Sequence, residues 1–102
     1  MVKVVWTTSA LEDLDNIGEF IGKDSKRYAI ITVEELFDSV NILENHPRAG
    51  STVPEFKNET IRQLIRKGYR IVYRIIDEHR VDVLTVHNCS RLITHTKPFK
   101  EE

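Results

Sequence analysis

The spacing of apolar residues changes along the chain from a helical repeat to a strand repeat. Residues 2–6 (VKVVW) form a short β-branched run typical of a strand. Helical spacing then appears in two stripes, the first running from Ala10 to Ile21 and the second from Ala29 to Leu43. In three later runs, 60–66, 69–77 and 80–88, apolar and polar residues alternate as in strands that bury one face. The sequence therefore predicts the order β-α-α-β-β-β.

Cap and turn residues divide these elements. Ser9 is predicted to cap the first helix, and Gly22 stands where that helix should stop. Asp24 or Ser25 can start the second helix, which should end near residue 45 because the proline at position 47 disfavours helical geometry just before it. Lys67–Gly68 and residues 77–79 predict two short turns, so the last three strands should form an antiparallel meander.

We expect these elements to build one domain over residues 1–102, because a chain of this length fits one domain. Two helices joined by a short turn should lie antiparallel, and their apolar stripes must be buried against one face of the sheet. The predicted fold class is α+β: an antiparallel twisted sheet with an N-terminal helical hairpin packed on one face.

Charge divides the chain into two unlike halves. The formal net charge is −1, yet residues 1–50 hold five Lys/Arg against nine Asp/Glu and residues 51–102 hold ten against seven. The single cysteine allows no internal disulfide, which suits a reducing compartment. No apolar run approaches the roughly 20 residues that cross a bilayer. We therefore expect a cytoplasmic protein without a membrane partner.

Much of the positive charge lies in residues 61–76 (IRQLIRKGYRIVYRII), which contain no acid. The cations of this stretch are Arg62, Arg66, Lys67, Arg70 and Arg74. Alternation in the central strand places an apolar set, including both tyrosines of the stretch, on the core face. Arg70 and Arg74 then stand on the opposite face.

The sheet face on which Arg62 and Arg66 lie depends on the length of the turn before the central strand. A Lys67–Gly68 turn sets these arginines opposite the two tyrosines, at a margin of the core face, whereas one residue more or less brings all four arginines to the open face. Either arrangement crowds cations, and a nucleic-acid backbone or an acidic peptide would relieve their repulsion. Alternatively, Arg70 and Arg74 pair with Asp82 or are simply solvated.

Other groups of polar residues give weaker signals. His87, Cys89 and His95 lack the spacing of a tight metal site, so we expect no metal and no cofactor. His87 is a candidate general base at a strand end. The acids of the first helix look like a solvated face; they are Glu12, Asp13, Asp15 and Glu19.

Several of these segments together resemble the RelE/ParE superfamily, the toxins of type II toxin–antitoxin modules. The matching segments are SALEDLDNIGEFI, HPRAGSTVPE, IRQLIRKGYRIVYRI and VDVLTVHNCSRL, which cover roughly residues 3–93. The resemblance implies a cytoplasmic toxin that arrests growth, takes part in plasmid stabilisation and is neutralised by a cognate antitoxin. It also implies one of two targets: ParE-like members poison DNA gyrase and block replication, and RelE-like members cut mRNA on the ribosome.

The ParE-like branch matches better. Pro54–Glu55, the Ile-Arg-Gln-Leu segment at 61–64 and the repeated Tyr-Arg-Ile at 69–75 resemble that branch, although Ser51 and Thr52 stand where an arginine is common. In this case the protein is a binding poison and not an enzyme. The partner-binding or nucleic-acid-binding residues would be Arg62, Arg66, Lys67, Arg70, Arg74 and Arg91.

The RelE-like alternative implies an endoribonuclease. Its candidate catalytic residues are Arg62, Arg70, His87 and Arg91. The set is partial, because the C-terminal tyrosine or histidine of many such nucleases has no clear match and His95 is only nearby. A second alternative is an inactive relative that is retained as an interaction domain.

Overall fold

The structure, a computed structural model, describes residues 1–89. Within that range the chain forms two α-helices, one 3₁₀ helix and a five-stranded sheet. In chain order the elements are β1 (Lys3–Trp6), α1 (Thr8–Gly22), α2 (Lys26–Asp38), the 3₁₀ helix (Ser39–Glu44), β2 (Ser51–Thr52), β3 (Ile61–Arg66), β4 (Tyr69–Asp77) and β5 (Arg80–Asn88). The predicted β-α-α-β-β-β order is confirmed, with the short strand β2 added.

The sheet has the order β1-β5-β4-β3-β2. Strands β3, β4 and β5 form the antiparallel meander that the alternation predicts. β1 lies parallel to β5, because the helical hairpin carries the chain across before the meander returns beside it. The sheet is therefore mixed, and α1 and α2 pack on one face of it as the predicted α+β fold class requires.

The cap of α1 differs from the prediction. Thr7, and not Ser9, caps this helix: its Oγ1 accepts from the Ala10 N–H at 3.2 Å. The same hydroxyl donates to the Val83 carbonyl oxygen at 2.7 Å, so one threonine starts the helix and attaches it to β5. Ser25 caps α2, which is one of the two predicted positions.

Asp13 is not part of a solvated face. Its Oδ2 accepts from the Thr85 hydroxyl at 2.7 Å and from the Val86 N–H at 2.9 Å. β1 pairs with β5 only as far as Val83, so this carboxylate satisfies a donor on the β5 edge just beyond the end of β1. The other three acids of α1 are exposed, as the sequence predicts.

The main core lies between the helices and the sheet. It is built from Leu14, Leu36, Val40, Leu43, Ile71, Tyr73, Val81, Val83 and Val86, among others. Tyr69 and Ile75 are half-buried against the same cluster, so the predicted core face of β4 is confirmed. Because side chains alternate across a sheet, this assignment determines on which face each cation of β3 and β4 lies.

The opposite face of the sheet is partly covered. Val53 and Phe56 belong to the connector between β2 and β3, and they pack against Ile61, Val72 and Leu84 in a second, smaller core. The sequence shows little periodicity in this connector, which explains why its packing was not predicted. Part of the expected open face is therefore buried.

No helix within residues 1–89 is both long enough and apolar enough to span a bilayer.

Candidate functional site: the cations of the sheet

The turn between β3 and β4 decides where the arginines stand. Lys67 has φ 53° and Gly68 φ 82°, so both central residues of this two-residue hairpin are left-handed. This turn sets Arg66 opposite Tyr69 and Arg62 opposite Tyr73. Arg62 and Arg66 therefore lie at the margin of the helix-side face, and the arrangement with all four arginines on one face is wrong.

Backbone oxygens hold Arg62 and Arg66. Arg62 Nη1 donates to the Gly50 carbonyl at 2.8 Å, and its Nε donates to the Glu59 carbonyl at 3.0 Å. Arg66 Nη1 donates to the carbonyl of Ile65 at 2.8 Å. Neither guanidinium forms an ion pair with a carboxylate of residues 1–89, so their formal charges remain available to a ligand.

Lys67, at the tip of the hairpin, is bound to α2. Its Nζ lies 3.2 Å from Glu35 Oε1 and 5.5 Å from the centre of the Tyr28 ring. The ion pair is exposed, so we assign it the small stabilising effect of a surface pair. Its charge is partly balanced inside the chain, which makes Lys67 a weaker candidate for partner binding than Arg62.

Arg70 pairs with a carboxylate that the sequence did not suggest. Its Nη1 donates to both oxygens of Glu55, at 3.2 and 3.0 Å, and the two side chains are only 15% and 16% exposed. Arg74 lies opposite Asp82 in the sheet, but that carboxylate accepts from Arg80 at 2.7 and 3.2 Å. The predicted pairing of Arg70 and Arg74 with Asp82 is therefore wrong.

Two groups suited to acid–base chemistry, Glu55 and His87, flank Arg70 on the face of the sheet opposite the helices. His87 is the direct cross-strand neighbour of Arg70 and is buried, and Glu55 binds Arg70 from the connector. The proposed nuclease set is only half assembled, because Arg62 stands on the other face of the sheet. Arg91 and His95 lie outside the described residues. Glu55 was overlooked as a site residue, and the Pro54–Glu55 pair noted in the sequence was the signal that could have found it.

Tyr73 joins the sheet to the loop of residues 45–50. Its buried hydroxyl donates to the Pro47 carbonyl at 2.8 Å and accepts from the Gly50 N–H at 2.9 Å. Burial raises the pKa of Tyr73, and the Gly50 amide, Arg62 and Arg48 act against that rise. The hydroxyl therefore links the loop of residues 45–50 to β4 from a buried position.

An apolar groove follows the outer side of the helical hairpin. It has a volume of about 520 Å³, and its apolar floor includes Gly18, Gly22, Ala29 and Val33. Phe20, on the same helix as the two glycines, is 69% exposed. Because the two glycines have no side chains, the surface of α1 is smooth along the groove. A smooth apolar groove suits an apolar partner that packs closely against it.

Residues 1–89 contain no group of three or more His, Cys, Asp or Glu side chains that could hold a metal ion.

The architecture is that of toxins from type II toxin–antitoxin systems. A structure of the chromosomal ParDE system from P. aeruginosa has a TM-score of 0.70 at 21% identity, with 86% of this chain and 96% of that chain covered. The RelBE2 toxin–antitoxin complex of Mycobacterium tuberculosis has a TM-score of 0.53 at 28% identity, covering 85% and 96%. A YoeB/ParE toxin from Agrobacterium tumefaciens has a TM-score of 0.53 at 26% identity, covering 85% and 98%.

Residues 4–93 match the family described as the ParE toxin of the type II toxin–antitoxin system parDE. The chain belongs to this family, and its closer resemblance to the ParE branch is confirmed. No curated protein is similar enough in sequence to count as a match.

Proposed function

We propose that this protein is a cytoplasmic toxin that binds DNA gyrase, inhibits it and so blocks replication until a cognate antitoxin neutralises it. The observation that carries the proposal is the family match over residues 4–93, since gyrase inhibition is the general activity of ParE toxins. In this proposal the protein binds gyrase and catalyses no reaction of its own.

The ion pairs and positions of the arginines support a binding protein rather than a nuclease. The Arg70 charge is largely balanced by Glu55, whereas a phosphoryl transition state needs cations with charge to offer. Arg62, the other arginine of the candidate nuclease set within residues 1–89, stands on the opposite face. The cations thus form two separate surfaces and not one catalytic cluster.

We expect the antitoxin to contact both the apolar groove and the two arginines at the margin of the helix-side face. The groove offers apolar area for a helical segment, and Arg62 and Arg66 offer charge for acidic residues. Affinity should fall with salt, but only in part, because the apolar contacts are insensitive to screening. If affinity is independent of salt, Arg62 and Arg66 do not contribute to this interface.

Expression in a bacterial host without the antitoxin tests the proposal. We expect growth arrest with a DNA-damage response, and rescue when the antitoxin is expressed together with the toxin. Unchanged growth at a verified level of folded protein would contradict toxicity and would favour the inactive interaction domain.

A ribosome-dependent endonuclease is the second candidate, because Glu55, Arg70 and His87 converge on one face. In this candidate, Glu55 or His87 acts as the base and removes the proton of a ribose 2′-hydroxyl, whose oxygen attacks the adjacent phosphorus. The bond to the 5′-oxygen breaks, and an acid donates a proton to that leaving oxygen. Arg70 would stabilise the pentacoordinate phosphate once it exchanges Glu55 for the substrate.

Primer extension on translated mRNA separates the two candidates. Cleavage that Arg70→Ala abolishes and Arg74→Ala preserves would establish the nuclease. Arg74 is the matched control, because it lies on the same face of β4 and forms no ion pair within residues 1–89. Intact mRNA during growth arrest would exclude the nuclease and leave gyrase as the target.

A further inference from the structure

The exposed face of α2 carries an apolar residue near its centre. Ile30 is 59% exposed and lies on the apolar groove, which Gly18, Gly22 and Val33 also line. Phe37 follows two turns later on the same side of α2 and is exposed as well. Apolar residues that line a groove together indicate a surface that another protein covers.

The charges of α2 are separated along its length. The first turn carries Lys26 and Arg27, whereas the second half carries Glu34, Glu35 and Asp38. The dipole of a helix favours acids in the first turn and bases in the last, and α2 has neither. The order of charges is therefore the reverse of the one that would stabilise α2 alone.

Three of these charges have no ion-pair partner in the part of the chain that the structure describes. Glu35 binds Lys67, but no ion pair within residues 1–89 includes Lys26, Arg27 or Glu34. Arg27 and Glu34 lie about 10 Å apart along the helix axis, too far for a direct contact. Both are exposed and lie on the side of α2 that Ile30 occupies, because positions three and four apart share one helix face.

A second copy of the same helix, placed antiparallel, supplies the missing partners. If Ile30 packs against Ile30 of the second copy, Arg27 of each helix lies next to Glu34 of the other, because the two charges stand on either side of Ile30 at nearly equal distances. The basic N-terminal end of one helix then lies beside the acidic C-terminal end of the other, which also favours the two dipoles. A parallel pair would instead bring like charges together.

We propose that the exposed face of α2 is the interface of a homodimer, in which two copies of the chain pair antiparallel across a two-fold axis at Ile30. The glycines of α1 leave room beside α2 for side chains of the second copy. The helix has 13 residues and is about 20 Å long, so the interface is small. We expect a weak dimer with a Kd of about 1–100 μM.

The dimer does not depend on gyrase and so goes beyond the proposed function. The second copy covers the groove that we expect the antitoxin to contact. The dimer and the toxin–antitoxin complex therefore exclude each other. Dimerisation removes an apolar surface from water when no antitoxin is bound.

Sedimentation equilibrium of the purified protein over a concentration series measures the dimer. It is compared with Arg27→Glu, Glu34→Arg and the variant that carries both changes. We expect each single variant to raise the dimer Kd about tenfold or more, because each change turns two attractive contacts into two repulsive ones. The double variant should dimerise like the wild type, since the exchanged charges are again opposite.

An equimolar mixture of the two single variants gives the sharpest test. In a mixed dimer the new glutamate of one copy faces the new arginine of the other, and the unchanged Arg27 faces the unchanged Glu34. We expect the mixture to dimerise about as well as the wild type, although each variant alone does not. Labelling one variant with a fluorophore identifies the mixed dimer.

Lys57→Glu and Glu59→Arg are the matched controls. They make the same two charge changes at exposed positions of the connector between β2 and β3, which packs on the opposite face of the sheet. Their dimer Kd should equal that of the wild type. Thermal unfolding confirms that each variant is folded, and the changes in α2 place charges where the helix dipole favours them.

Three results would overturn the interface: a wild type that stays monomeric across the series, single variants that dimerise unchanged, or an equal loss in the controls. Failure of both the double variant and the mixture to recover would also refute the antiparallel pairing. A monomeric wild type whose affinity for the antitoxin falls in Arg27→Glu would assign this face to the antitoxin alone and refute the proposal. The predicted dimer together with unaffected gyrase would refute the proposed function and leave the interface standing.

Discussion

Tyr73→Phe removes one oxygen atom from the centre of the molecule and should destabilise it strongly. The hydroxyl makes two hydrogen bonds, of 2.8 and 2.9 Å, and both link β4 to the loop of residues 45–50. Each bond contributes about 1 kcal/mol, and leaving the buried Gly50 N–H without a partner adds about as much again. We therefore expect a loss of about 2–3 kcal/mol in the free energy of unfolding, a large part of the roughly 5–15 kcal/mol of a small domain.

Urea unfolding followed by the fluorescence of Trp6 measures this loss. Trp6 is the single tryptophan, and its ring stacks on Phe37 with 5.2 Å between centroids, so its emission should report on native packing. The matched control is Tyr28→Phe, which removes a hydroxyl from a side chain that is 51% exposed. A Tyr73→Phe variant within about 0.5 kcal/mol of the wild type would refute the assigned role of the hydroxyl.

The pH dependence gives a second readout of the same group. The pKa of Tyr73 is raised above its ordinary value of 10.0, chiefly by burial, so the folded state holds this proton more tightly than the unfolded state. The resulting stability is fully present below pH 10 and is lost as the pH rises through the folded-state pKa. Tyr73→Phe should therefore lose less stability above pH 10 than the wild type does, and parallel curves would contradict this assignment.

Three further substitutions test separate contacts by the same urea assay. Gly50→Ala should lower the free energy of unfolding by about 1–3 kcal/mol, because the added Cβ would clash with the Gln63 carbonyl and lie 2.8 Å from the Tyr73 hydroxyl oxygen. An unchanged urea midpoint would mean that the loop moves to make room for the Cβ. Asp13→Ala should cost about 2–3 kcal/mol through its two bonds to β5, while exposed Glu12→Ala should cost less than about 0.5; equal effects would refute the edge contact. Lys67→Ala should cost less than about 1 kcal/mol, because its pair with Glu35 is exposed, and a larger loss would contradict that reasoning.

The positions of the arginines show how far alternation predicts a sheet. Period-two alternation alone was enough to assign the core face of β4, because its apolar set is continuous. Once the Lys67–Gly68 turn is taken to contain only two residues, the placement of Arg62 and Arg66 follows from parity. The turn length was the undetermined quantity, since a bulge or an extra loop residue leaves the same local sequence signal.

Contacts made by irregular segments could not be predicted in the same way. Glu55 reaches Arg70 from a connector without periodicity, and Asp13 leaves an otherwise solvated helix face to bind the edge of β5. Thr7 displaced Ser9 as the cap because its hydroxyl also binds β5. Which of these contacts form depends on the residues that lie nearby in the folded protein. Local helix or strand propensity carries no information about those neighbours.

A supercoiling reaction with purified gyrase tests directly whether this protein inhibits the enzyme. The protein is added to gyrase, ATP and relaxed plasmid, and the products are separated after detergent and protease treatment. The proposed function predicts that supercoiling stops, that linear plasmid accumulates from trapped cleaved complexes, and that prior addition of the antitoxin prevents both effects. Normal supercoiling without linear DNA, at saturating folded protein, would contradict it.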